Sequence, residues 1–294
     1  MAQKIWFSLF AALVLALAAP AVRATVILND NFDSYGNQAA FEAAWPSIGT
    51  TTDATKKSAQ LSTAQFTSSP NSVFVPVSTT AVTSSTEFRN RRSFTDTPAM
   101  AIGDELSFSF DFRDTALGNP QRNYANLQDT IAPGSTNQLI SIGLNSNQLS
   151  TDSGGNYYMA RVLGYTVVAG ADPDGGALES GTLGSGAYFK LNDFGVGLRS
   201  VGWHNLKVII TTNDGNSTDF RFYVDGVLAE KLDNVGTAAT IRQFDNVAIG
   251  SGFTNGGINA YFDNIDVQYA VPEPSSLALL GLAGIQLVRR RRAA

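Results

Sequence analysis

The chain has 294 residues, with 20 Lys and Arg against 25 Asp and Glu, one histidine and no cysteine. Missing cysteine excludes disulfides, thiolate metal sites and a cysteine nucleophile, and one histidine excludes a His-rich zinc site. A net charge of −5 argues against nucleic acid, while 44% hydrophobic and 15% charged residues fit a folded, β-rich domain rather than a disordered chain.

The first 24 residues read as a secretory signal peptide. Lys4 supplies the charged start, and Ile5 to Ala19 is an apolar run broken by one Ser. Val22-Arg23-Ala24 places small residues where a signal peptidase reads them, so cleavage is expected between Ala24 and Thr25. The run is shorter than the ~20 residues of a comfortable membrane span.

Residues 25–270 are the expected folded domain. Without the two ends, the body carries 14 basic and 24 acidic residues. Its length suffices for a substantial core without disulfides. A strand is expected at 25–29, then one or two helical turns from Gln38 to Trp45. Phe41 and Trp45 there stand at i,i+4 spacing, and Pro46 stops the helix. Thr50 to Thr86 holds 18 hydroxyl residues in 37, which reads as polar strand and loop, or as a glycosylated or flexible insertion. Strands follow at 71–77 and 86–94. From Asp104 to Arg113, Leu106, Phe108, Phe110 and Phe112 alternate with polar residues, a period-2 strand with one aromatic face. Further strands are expected at 138–144, 157–163, 187–191, 206–212 and 219–224. Asp225-Gly226 signals a tight hairpin into 227–231, and 244–250 and 260–269 complete the set. Many short strands joined by Gly, Asn and Asp turns predict an all-β sandwich.

Two stretches sharpen that expectation. Trp203-His204-Asn205-Leu206-Lys207-Val208 followed by Phe222-Tyr223-Val224-Asp225-Gly226 resembles laminin-G-like, concanavalin A-like jelly rolls. The resemblance implies an antiparallel β-sandwich in which Ala260 to Val267 is the closing strand and Ile27 to Phe32 its pairing partner.

At the C-terminus, Val271-Pro272-Glu273-Pro274-Ser275 precedes a Leu/Ala/Gly-rich stretch and the cluster Arg289, Arg290, Arg291, Arg292. The prolines bar helix before Ser275. The apolar stretch is marginal for a bilayer, and the arginines would hold it on the cytoplasmic side. Residues 271–294 resemble the PEP-CTERM sorting signal of Gram-negative bacteria. That resemblance implies recognition of Pro272, Glu273 and Pro274 by an exosortase, a transient membrane anchor in a short helix, and release or transfer to the cell surface among extracellular polysaccharide and biofilm.

Chemistry-bearing residues are few. His204 reads as a structural residue rather than a base, because no partner motif accompanies it. Retaining glycosidases need paired carboxylates, and the Glu-x-Asp-x-Glu of the β-glucanase branch of the resembled fold is absent. No catalytic residue is therefore assigned. Asp263 shares parity with Tyr261, Ile265, Val267 and Tyr269, so it reads as an inward carboxylate in need of a partner. Hydrogen bonding from the neighbouring strand or loop is the expected partner; the alternative is a structural Ca²⁺ held together with Asp30, with Asn29 or Asp33 nearby. Asp172 to Gly176 reads as a surface turn. Arg89, Arg91 and Arg92 read as a solvated, charge-protected edge strand, or as a contact for an anionic sugar. These readings predict a non-catalytic structural or carbohydrate-binding surface protein. A glycan-active enzyme of the same fold and a protein–protein adhesion module are the alternatives.

Overall fold

The computed structural model of the protein describes residues 23–48, 59–76, 88–95, 97–115, 123–129, 139–144, 157–163, 165–166, 180–182, 185–213, 217–237, 243–251 and 259–271. The chain divides into a body, Val26–Tyr269, and a unit made of the two chain ends. The expected signal helix, Pro272, Glu273, Pro274, the apolar C-terminal helix and Arg289–Arg292 lie outside the described residues. Among the described residues no helix is long and apolar enough to cross a membrane.

In chain order the elements are β1 (Arg23–Asp30), α1 (Gln38–Ala44), β2 (Gln60–Ser62), β3 (Ser72–Val75), β4 (Phe88–Ser93), β5 (Glu105–Asp114), β6 (Asn123–Gln128), β7 (Leu139–Leu144) and β8 (Met159–Leu163). They continue with β9 (Tyr165–Thr166), β10 (Ser180–Thr182), β11 (Ser185–Lys190), β12 (Gly202–Thr212), β13 (Ser217–Val224), β14 (Val227–Thr237), β15 (Asn246–Ser251) and β16 (Ala260–Val271). The first sheet has the order β2-β3-β16-β5-β12-β13-β14-β9, with β1 also on β16. The second has the order β10-β11-β8-β7-β6-β15-β4. The ladders β5-β12-β13-β14 and β11-β8-β7-β6-β15-β4 are antiparallel throughout. The expected pairing of the first and last strands is present.

Alternation builds the core. Along β5 the odd-numbered residues face outward, while Leu106, Phe108, Phe110 and Phe112 are fully buried. They pack among Leu206, Val208, Ile210, Phe220 and Phe222 from their own sheet and Leu127, Ile140, Ile142, Val162, Val247 and Ile249 from the other. Each buried aromatic or aliphatic side chain contributes about 1.5–3 kcal/mol. The hairpin turn Asp225-Gly226 has φ of 51° and 77°, the left-handed pair that a two-residue hairpin favours.

The short helix α1 is capped by Asn37, whose side chain accepts from the Ala40 N–H at 2.9 Å. Phe41 and Trp45 carry it into the core against Phe32. The Trp45 indole N–H donates to Asp30 at 2.9 Å, and the Tyr35 hydroxyl and Phe32 N–H reach the same carboxylate. Burial first, then this hydrogen bond and the charge of Asp30, push the Tyr35 phenol up to about 12.

Candidate functional site

The two outer faces of the sandwich differ in charge. None of the seven strands of the second sheet contains an Asp or Glu, yet they carry Arg89, Arg91, Arg92, Arg161 and Lys190. The acidic strand residues belong to the first sheet, Glu105, Asp111, Asp219, Asp233 and Asp266 among them. Asp129 and Asp245 stand just beyond the ends of β6 and β15.

Register turns the second sheet's outer face into rows. Arg91, Ala248, Asn126, Ser141, Arg161 and Tyr188 stand side by side across β4, β15, β6, β7, β8 and β11. The next row is Arg89, Gly250, Tyr124, Gly143, Met159 and Lys190. Strands lie ~4.8 Å apart, so each row crosses roughly 24 Å. Small or amide-bearing residues, Ala248, Asn126 and Ser141, lie between Arg91 and Arg161 in the first row, and the second row, which has Tyr124 and Met159 in its middle, ends in Arg89 and Lys190. The floor residues Asn126, Ala248, Ser141 and Met159 are buried, while Arg89, Arg91, Tyr124 and Arg161 remain partly exposed around them. A shallow depression lined by Tyr124, Ser141, Gly143, Met159 and Arg161 opens beside Asn126.

Asn126 is the exception that marks this face. It is fully buried, and neither atom of its amide has a hydrogen-bond partner among the described residues. Gln128 Oε1 and Arg91 Nε, on the same face, are buried without partners as well. Buried amides in folded proteins are nearly always paired, so a cluster of unpaired ones points to a bound ligand or water. Gly143 permits the close approach here. Its φ is +146°, and a Cβ would meet the Asn123 carbonyl oxygen at 2.5 Å and Tyr124 Cα at 2.7 Å.

The arginines of β4 divide between its two faces. β4 is an edge strand, as expected, and Arg89 and Arg91 on it are partly exposed with their Nε atoms buried. Arg92 points to the opposite face and donates to the Ala44 carbonyl at 3.2 Å.

Asp263 needs a correction. It does not face the core with Ile265, Val267 and Tyr269. Asn264 adopts φ 49°, a left-handed kink that Asn tolerates, and the kink shifts the parity of β16. Phe262 and Ile265 are the inward pair, and Asp263 lies under the 67–68 loop on the first sheet's outer face. It accepts from Thr67 N (2.8 Å) and Oγ1 (3.0 Å), Ser68 N (2.9 Å) and Oγ (3.0 Å), and Asn264 N (2.8 Å). Asp30, the other candidate calcium ligand, shares none of these partners and is occupied by Phe32, Tyr35 and Trp45. The structure thus does not bring the two carboxylates into one set of ligands; a Ca²⁺ would have to displace donors already in place. Among the described residues no group of three or more His, Asp or Glu could hold a metal.

His204 is a clip. Its Nδ1 lies 2.8 Å from Asp225, and its Nε2 lies 2.9 Å from the Ser200 carbonyl and 3.1 Å from Ser200 Oγ. The order Ser, His, Asp looks like a nucleophile chain. A carbonyl oxygen can only accept, so Nε2 carries a proton there and is not a base for Ser200. The ring also packs on Tyr158, whose phenol is pushed far up by burial and then by the charge of Asp114. On the first sheet's outer face, Trp203, Tyr261 and Phe74 form a half-buried aromatic patch, with ring centres 6.5 and 4.9 Å apart.

The chain's last segment decides its sorting. Residues 270–292 match the PEP-CTERM protein-sorting motif. A PEP-CTERM tail marks an exosortase substrate, exported and sorted to the cell surface. No curated protein matches the chain in sequence. Among solved structures, an endo-β-1,4-glucuronan lyase from the fungus Trichoderma reesei gives a TM-score of 0.50 at 13% identity, over 83% of this chain and 95% of its own. A carbohydrate esterase from the Shiga toxin-encoding bacteriophage phi24B gives 0.50 at 12% identity, over 84% and 99%. At these identities the likeness is one of fold, an antiparallel jelly-roll β-sandwich, as the strand pattern predicts.

Proposed function

We propose that this PEP-CTERM protein is a non-catalytic surface component that binds extracellular polysaccharide through the outer face of its second sheet. Signal peptidase releases Thr25 as the mature N-terminus, and the exosortase reads Pro272, Glu273 and Pro274. The observation that carries the binding reading is the buried amide of Asn126, without a partner among the described residues and flanked by arginines beside a shallow depression. Amides and guanidinium groups on a rigid sheet are the donors and acceptors that sugar hydroxyls and carboxylates need. The absence of Asp and Glu from every strand of this sheet supports a binder over a hydrolase built on paired carboxylates.

A second reading has an observation of its own. Tyr124 and Lys190 stand in one row beside Arg161 and Asn126, a set that could exchange a proton with a sugar ring whose acid group is neutralised. The fungal protein of the same fold is named for lyase action on a polyuronate. One experiment separates the readings. The full-length protein is incubated with its host's extracellular polysaccharide, alongside Asn126→Leu. Saturable binding, lost in the variant, with no change in polymer length or ultraviolet absorbance supports the binder. Release of unsaturated oligosaccharides supports the lyase. No binding by either protein refutes both.

A further inference from the structure

We infer that the ligand of this face is a polyanionic chain, a polyuronate-type glycan, lying across the strands and spanning at least four sugar residues. The inference rests on the glycan-binding reading above and adds the charge class, direction and length of the ligand.

Charge comes first. The body is acidic overall, yet its second sheet has cations and no carboxylates in any strand. A cationic face on an acidic protein attracts an anionic ligand. Partly buried guanidinium groups beside unpaired amides suit carboxylates better than neutral hydroxyls, because charge-assisted hydrogen bonds offset the desolvation.

Geometry then sets direction and length. Arg91 and Arg161 flank the middle of one row, with Tyr188 beyond Arg161, and Arg89 and Lys190 stand at the two ends of the other. Between Arg91 and Arg161 lie Ala248, Asn126 and Ser141, a low floor, and between Arg89 and Lys190 lie Gly250, Gly143 and Met159 with the partly exposed Tyr124 among them. Arg91 and Arg161 are four strand gaps apart, roughly 19 Å. A pyranose in an extended chain advances by about one strand gap, so a glycan crossing the floor needs about four residues to meet both ends. A disaccharide reaches only one.

The test is calorimetry on the full-length protein with oligogalacturonates of two to six residues and cello-oligosaccharides of the same lengths. The expected result is a fall of about tenfold or more in Kd between the trimer and the pentamer, then a plateau. The neutral series binds at least about tenfold more weakly at each length, and added salt weakens only the acidic series. Arg91→Gln and Arg161→Gln each return the pentamer to the affinity of the trimer, and Arg91→Lys keeps part of the gain. Equal Kd for dimer and hexamer overturns the length and direction. Equal binding of the neutral series overturns the charge class. In both cases the glycan-binding reading survives. Loss of native polysaccharide binding as well would instead remove that reading.

Discussion

Asn126→Leu is expected to make the protein more stable while abolishing its binding. The native amide is fully buried with both atoms unpaired among the described residues. Burying an amide without partners costs about 1–3 kcal/mol, and an apolar side chain of similar shape removes that cost. Each kcal/mol moves the Tm of a domain of about 150–250 residues by about 2–4 °C, so Leu should raise it by roughly 2–12 °C. Calorimetric melting of the two full-length proteins at equal concentration reads the shift. Such an exchange of stability for function is common where a site keeps a strained polar group. A Tm lowered by several degrees would refute the reasoning, because it would mean the amide is satisfied in solution and holds the fold rather than a ligand.

Other expectations follow from the same contacts. Asp263→Ala strips the Thr67 and Ser68 N–H groups and the Ser68 hydroxyl of their acceptor, while the Thr67 hydroxyl keeps Asp111, and should cost about 2–4 kcal/mol in urea unfolding, while chelators leave the native protein's midpoint unchanged. Gly143→Ala forces a Cβ to within 2.5 Å of a backbone oxygen at positive φ, and the same assay should show a loss of about 1–3 kcal/mol. Burial alone would raise the pKa of Asp233, but hydrogen bonds and charge from Lys231 and Arg221 hold it below the ordinary carboxylate range. Its contribution is therefore present above a pH of about 4 and is lost as pH falls through the lowered value, so Asp233→Asn should cost stability at neutral pH and nothing in strong acid. The Tyr35 phenol, raised to about 12, stabilises the fold fully below pH ~10 and ceases to do so as pH passes its folded value. Phenolate absorbance should accordingly show equal numbers of tyrosines ionising near pH 10 in the native protein and in folded Tyr35→Phe, with the variant lacking one ionisation only near pH 12 or after unfolding.

Much of the fold was legible because it follows from period-2 alternation. Phe108, Phe110 and Phe112 announce β5, and Asp225-Gly226 announces the hairpin. The site was legible only in part. Arg89 and Arg91 stood out as a cluster, but sequence spacing does not say which face of an edge strand is buried. The strand carrying Tyr124, Asn126 and Gln128 was missed, because Ala125 and Leu127 give it just two apolar positions. Its polar alternation was the available signal. Asp263 was misassigned because a kink at Asn264 breaks the parity on which the reading depended. The rows themselves arise from strand order, and β6 sits between β7 and β15, which a local reading cannot supply.

The central claim is that glycan meets the protein at Asn126, and amide NMR tests it most directly. Oligosaccharides released from the host's own polysaccharide are titrated into the full-length protein while backbone amide and side-chain NH₂ resonances are followed. The account predicts that the Asn126 signal moves with saturation, while that of Asn205 on the first sheet stays fixed. Shifts confined to Trp203 and Tyr261, with Asn126 unmoved, would contradict it and transfer the binding surface to the opposite face.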